Sequence, residues 1–153
     1  MVKTNNQYFY IMKKLLIFIG VLFAVSTLSA QTYKVGDIYD VNGKKGVVFE
    51  VSEDGKHGKI IADGMVSEKM TWDKAMEYGR QLKDGWYIPS YEEMMSLMKV
   101  FEVVTPKITE VRGSFWTTTE FNPDCAWMFY LRADSRGGMY KANQLQVKPI
   151  SKF

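Results

Sequence analysis

The sequence predicts an α+β fold, with strands at both ends of the domain and two consecutive helices between them. Three observations carry this reading. Two β-branched runs near the front are punctuated by Asn42-Gly43 and Asp54-Gly55, both strong turn signals. Two apolar patterns at helical spacing occupy the middle, the second opened by Ser90 and Glu93. Apolar runs of strand length then return from Ser114 onwards. Strands and helices that are segregated along the chain, not alternating, indicate α+β.

Ahead of the domain, Met12 is followed by Lys13-Lys14, an uncharged apolar run from Leu15 to Val25, and the small and polar residues Ser26 to Ala30. A cationic start, a short apolar middle and a small residue at the cut are the marks of a secretory signal peptide. We therefore expect residues 1–30 to be the signal region, with Met12 as the true start and Gln31 as the new N-terminus. The apolar run is shorter than the roughly 20 residues that span a bilayer, so no stable membrane anchor is expected after cleavage. A lipid anchor would need a cysteine at the cut, and the one cysteine is Cys125. Residues 31–153 are then a single domain bound for the periplasm, the cell surface or the medium.

Within that domain, Tyr33 to Asp40 leads into the Asn42-Gly43 turn, and Gly46 to Val51 is a strand by its β-branched content. Gly58 to Ala62 returns after Asp54-Gly55. Thr71 is placed to cap a helix with Trp72, Ala75, Met76, Gly79 and Leu82 facing inward, stopping at Asp84-Gly85. Trp86 to Pro89 is extended, since proline turns Ile88 away from helix. Ser90 and Glu93 form a capping box for a second helix whose inward stripe is Met94, Leu97, Met98 and Phe101, ended by Thr105-Pro106. Ser114 to Thr119 and Ala126 to Leu131 are strands, Ala133 to Gly138 a turn region, and Met139 to Ala142 and Leu145 to Ile150 the closing strands. Alternation sends Trp127 and Phe129 to one face and Met128 and Tyr130 to the other. Trp86 is expected to fill a core between the helices and the final sheet.

Charge excludes one class of partner. Of the 20 basic residues, Lys3, Lys13 and Lys14 precede the cut, while none of the 17 acidic residues does, so the domain itself is neutral. A neutral domain has no electrostatic case for nucleic acid. With one cysteine no internal disulfide forms, so packing must hold the fold. Cys125 is expected to be a buried, small apolar residue.

The ordered set Trp72-x-x-Ala75, Gly85-Trp86-Tyr87-Ile88-Pro89-Ser90-x-x-Glu93-Met94-x-x-Leu97, Phe115-Trp116-Thr117-Thr118-Thr119-Glu120 and Ala126-Trp127 resembles bacterial exported domains of the DUF1566 and Fibrobacter major-paralogue type. The match runs from about Thr71 to Phe153. It implies a C-type-lectin-like fold, with N-terminal β-hairpins, two consecutive helices and a C-terminal antiparallel sheet. The front hairpin, Tyr33 to Asp37 with Gly46 to Phe49, is similar to the front section of exported proteins of Gram-negative bacteria. The formylglycine-generating, sulfatase-modifying family shares the resemblance, but its oxidation chemistry uses a pair of cysteines and this chain has Cys125 alone. Most of the signature has a structural reading: Trp86 fills a core, Pro89 fixes a turn, and Ser90 and Glu93 cap a helix.

Residue chemistry argues against catalysis. The sole histidine, His57, sits beside a turn and is expected on the surface. There are too few His and Cys residues for a zinc site. Gly43-Lys44-Lys45-Gly46 is a hairpin turn and not a phosphate loop. Of the pair Glu92-Glu93, the cap claims Glu93. The segment Glu120 to Asp124 resembles the Glu-Pro-Asn sugar motif of animal lectins, but its five residues suit a plain Asn-Pro-Asp turn. No metal or cofactor is expected. The candidate ligand-binding residues are the loop polars Asn122, Asp124, Arg132, Asp134, Arg136 and Asn143. The expected function is an exported noncatalytic binding or adhesion module recognising a glycan or protein partner. The alternatives are a structural or interaction protein of the cell envelope and a degenerate enzyme of the sulfatase-modifying type.

Overall fold

The computed structural model describes residues 31–133 and 135–153. The expected signal region and the candidate Asp134 therefore lie outside the described residues. Among the described residues, no helix is long and apolar enough to cross a membrane.

The fold is α+β, built on two antiparallel sheets. Strand β1 (Ile38–Val41) turns through Asn42 (φ 52°) and Gly43 (φ 80°) into β2 (Lys44–Val51). Two consecutive positive φ angles match the natural twist of a hairpin, and asparagine and glycine adopt them at least cost. β2 pairs with β3 (Gly58–Ala62), but the register slips between Val48 and Glu50. This bulge inserts Phe49 and turns Glu50 to the same face as its cross-strand neighbour Lys59.

Helix α1 (Trp72–Gln81) follows and ends before Asp84 (φ 57°) and Gly85 (φ 75°). A methyl group at Gly79 would lie 2.8 Å from Ile88 Cδ1, so glycine lets the helix settle against that side chain. Thr71 occupies the N-cap position in extended geometry, yet its side chain makes no capping bond, contrary to expectation. The short strand β4 (Trp86–Tyr87) leads to helix α2 (Tyr91–Met98). Here both arms of the capping box are present: Ser90 Oγ accepts from the Glu93 amide, and Glu93 Oε2 accepts from the Ser90 amide. The second helix stops sooner than its apolar stripe implies. The chain breaks at Val100 (φ −119°), and Phe101–Val104 form a separate turn of helix, α3. Pro106 then lies in a 3-10 turn, Thr105–Lys107.

The second sheet is β5 (Ser114–Asn122), β6 (Cys125–Tyr130) and β7 (Ser135–Tyr140), in that order. β7 corrects the expected turn over Ala133 to Gly138: Arg136, Gly137 and Gly138 are strand residues paired with β6. The expected strand Leu145 to Ile150 is reduced to single bridges at Leu145 and Gln146. Pairing resumes as β8 (Ile150–Lys152), which crosses back between β3 and β4. The first sheet therefore has the order β1-β2-β3-β8-β4.

One face of the first sheet, with Val47, Phe49, Ile61 and Ile150, packs on Met94 and Leu97 of α2, Val104 of α3, and Phe115 and Phe129 of the second sheet. Its other face buries Val48, Ile60 and Ala62 under Tyr33 and Trp86. Trp86 thus caps the far side of the first sheet and does not lie between the helices and the final sheet. A third cluster joins Ala75 of α1 to Ile88, Trp116, Ala126 and Val147. The faces of β6 alternate as expected: Trp127 and Phe129 contact Tyr91, while Met128 packs with the Trp116 cluster.

Candidate functional site

The end of the second sheet where β5 turns into β6 is a built structure. Asn122 Oδ1 accepts from the backbone amides of Asp124 (3.0 Å) and Cys125 (2.8 Å), the asparagine-led turn that the Asn-Pro-Asp sequence encodes. The Lys141 amide donates to the Asp124 carbonyl (2.9 Å), and the Trp72 amide donates to the Lys141 carbonyl (3.0 Å). These two bonds bring the first turn of α1 beside the end of β7. Lys141 Nζ fixes the arrangement. It donates to Glu120 Oε2 and to the Pro123 carbonyl, both at 2.8 Å, and lies 4.8 Å from the centre of the Trp72 ring. Trp72 is held in turn by donating from Nε1 to the Thr117 carbonyl (2.8 Å).

The result is an open cleft of about 570 Å³, lined among others by Thr71, Asp73, Pro123, Asp124, Tyr140 and Lys141. Tyr140 is 66% exposed, which leaves its ring open to solvent at the cleft. Neither the Asp73 nor the Asp124 carboxylate has a protein partner among the described residues, so both are open acceptors. Lys141 is committed to its structural contacts. The cleft offers an aromatic face, two carboxylates and a hydroxyl. Such a set recognises hydroxyl-rich or amide-rich surfaces.

The six candidates from the sequence divide between two places. Asn122, Asp124 and Asn143 belong to the cleft end. Asn122 shapes the turn, Asp124 lines the cleft, and Asn143 closes the turn after Tyr140 through its amide (2.9 Å to the Tyr140 carbonyl). Arg132 and Arg136 lie at the opposite end, in the 3-10 turn after β6 and opposite Phe129 on β7. Asp73 and Tyr140 were not among the candidates. Asp73 reads from sequence as an acidic residue in the first turn of a helix, and the tertiary contacts of its neighbour Trp72 with Lys141 and Thr117 carry it to this cleft. Cys125 is half-buried and not part of the core as expected.

A charged network lies elsewhere, at the rim of the first core cluster. Lys59 Nζ is 3.1 Å from Glu50 and 3.4 Å from Glu93, and Tyr87 donates its hydroxyl to Glu93 Oε1 (2.8 Å). Burial opposes the charge on Lys59, but the two carboxylates outweigh it and raise its pKa. Burial, followed by the bond to Glu93, drives the Tyr87 hydroxyl well above its ordinary value. His57 is exposed, as expected, beside a second open groove with Glu50, Lys59 and Lys152. Among the described residues no three His, Cys, Asp or Glu side chains gather to hold a metal ion.

No family model matches the chain, and no curated protein matches it. Among solved structures it is similar to the crystal structure of botrocetin, at 12% identity with a TM-score of 0.42, covering 68% of this chain and 94% of that one. It is also similar to the snake venom toxin convulxin, at 12% identity with a TM-score of 0.43, covering 79% of this chain and 97% of that one. Likeness at this level carries no argument about partners or activity.

Proposed function

We propose that residues 31–153 are an exported, noncatalytic binding module of C-type-lectin-like type that recognises a glycan in the cleft at the end of the second sheet. The observation that carries this is the Tyr140 ring, 66% exposed, beside the open carboxylates of Asp73 and Asp124. A sugar ring lays its C–H face on such an aromatic surface and gives its hydroxyl protons to the carboxylates. The cleft is open, so affinity rests on few contacts, with Kd on the order of 0.1–1 mM for a single sugar unit.

A glycan array probed with the protein, followed by titration of the best binder, tests the reading. Tyr140→Ala and Asp124→Asn are each expected to weaken binding about tenfold or more without changing the melting temperature. Binding that survives both substitutions would remove this site from consideration. The signal is expected to be the same with calcium and with a chelator. Mass analysis of the exported protein is expected to show Gln31 as its first residue.

A second reading, an interaction protein of the cell envelope, is favoured by the outer edge of β7. This strand of six residues pairs with β6 in unbroken register, contains no proline, and is the edge strand of its sheet among the described residues. Regular open edges are templates for an added strand. Capture of envelope proteins with an empty glycan array would support that reading over the first.

A further inference from the structure

We infer that the cleft between α1 and the β4–α2 turn is a second ligand site, one that takes a small amphipathic monocarboxylate. It is a cavity of about 420 Å³, within the range of small-molecule clefts, and it is separate from the Tyr140 site. Its apolar lining comes from Met76, Ile88 and Gly79. The absence of a side chain at Gly79 lets α1 rest on Ile88, which fixes this wall.

The polar groups of the cleft sort into committed and free ones. Tyr87 gives its hydroxyl proton to Glu93 Oε1, and Glu93 Oε2 is occupied by the Ser90 amide. Lys59 lies 3.4 Å from Glu93. Both oxygens of the cleft's acid are thus occupied from within the protein, and Lys59, shared with Glu50 at 3.1 Å, offsets part of its charge. Arg80, in the last turn of α1, is exposed and has no acidic partner among the described residues. Ser90 Oγ is an acceptor from the Glu93 amide and keeps its own proton to give. Thr118, also lining the cleft, adds a second hydroxyl. An apolar wall with one unpaired guanidinium and two hydroxyl donors complements an apolar body that ends in a carboxylate. Arginine receives both carboxylate oxygens at once, which favours that group over a neutral end.

Titration of the full chain with hexanoate, followed by methyl NMR, tests this. Hexanoate is expected to shift the Met76 and Ile88 methyl signals, and Arg80→Gln is expected to weaken its binding at least tenfold. Arg80 projects from an exposed helix end, so this variant folds. The neutral analogue 1-hexanol is expected to bind more weakly than hexanoate and to be indifferent to Arg80→Gln. Tyr140→Ala, which disables the proposed glycan site, is expected to leave hexanoate binding unchanged. Hexylamine binding as tightly as hexanoate, hexanoate binding unaffected by Arg80→Gln, or shifts confined to other methyl groups would each overturn the proposal.

Discussion

Lys148 is fully buried, and its Nζ donates to the Thr109 carbonyl at 3.0 Å with no carboxylate at ion-pair distance among the described residues. Burial brings its pKa down to about 8, with Asp63 and Glu110 pulling weakly the other way. Between about pH 8 and the ordinary lysine value of 10.5, the unfolded chain keeps a proton that the folded chain has released, so stability rises with pH across that window. Tyr87 acts in the opposite sense. Its raised pKa makes the folded state hold a proton that the unfolded state loses above pH 10, so stability falls from there. Chemical denaturation across the alkaline range is expected to show a maximum near pH 10. Lys148→Met is expected to flatten the rise of about 1–3 kcal/mol below that maximum and to be no less stable than the parent at pH 7. A lysine between Val147 and Pro149 carries no mark of burial in the sequence. Its environment is made by the loop of Thr109 and by Asp63, far away along the chain.

Elements differ in how plainly the sequence announces them. The capping box of α2 depends on two side chains three residues apart, so Ser90 and Glu93 reveal it without knowledge of the fold. Ser90→Ala is expected to cost about 1 kcal/mol, read as a lower denaturation midpoint with unchanged slope. The end of α2 was less legible. Its apolar stripe continues through Phe101, but the chain turns at Val100 so that Val104 reaches the same core from a new direction. β7 was hidden for a different reason. Arg136, Gly137 and Gly138 have little intrinsic preference for strand, and they form one because β6 supplies a complete ladder. Gly138 has a specific use there: an added Cβ would meet the Phe121 ring at 2.6 Å, so only glycine lets that ring lie across the strand against Trp127. Half of the candidate cleft was legible for the same reason as the capping box. Asn122 and Asp124 act within a local turn, whereas Asp73 and Tyr140 meet there through contacts between distant elements.

For the molecule as a whole, β8 is the strand that joins its parts. Ile150 sits in the main core, and Ser151 is buried with its hydroxyl donating to the Gly85 carbonyl (2.8 Å) and accepting from Lys44 (2.9 Å). This three-residue strand thus ties the front hairpins to the segment between the helices. Ser151→Pro removes a ladder amide and these side-chain bonds from a strand paired on both sides. The expected loss is about 3 kcal/mol or more, measured by denaturant titration. An equal substitution on the edge strand β1 is expected to cost far less. The class α+β was legible from the order of strand and helix patterns. The return of β8 to the first sheet was not, because nothing in the Ile150–Lys152 segment names its partner.

That return also sets a timetable. Residues 59 and 152 are neighbours in the finished sheet yet lie about 90 residues apart along the chain. A chain delivered N-terminus first through a narrow channel cannot complete its first sheet until β8 has emerged. Closure of the first sheet is therefore expected to be a late step, governed by long-range contacts that are slow to make, and refolding followed by stopped-flow fluorescence checks it.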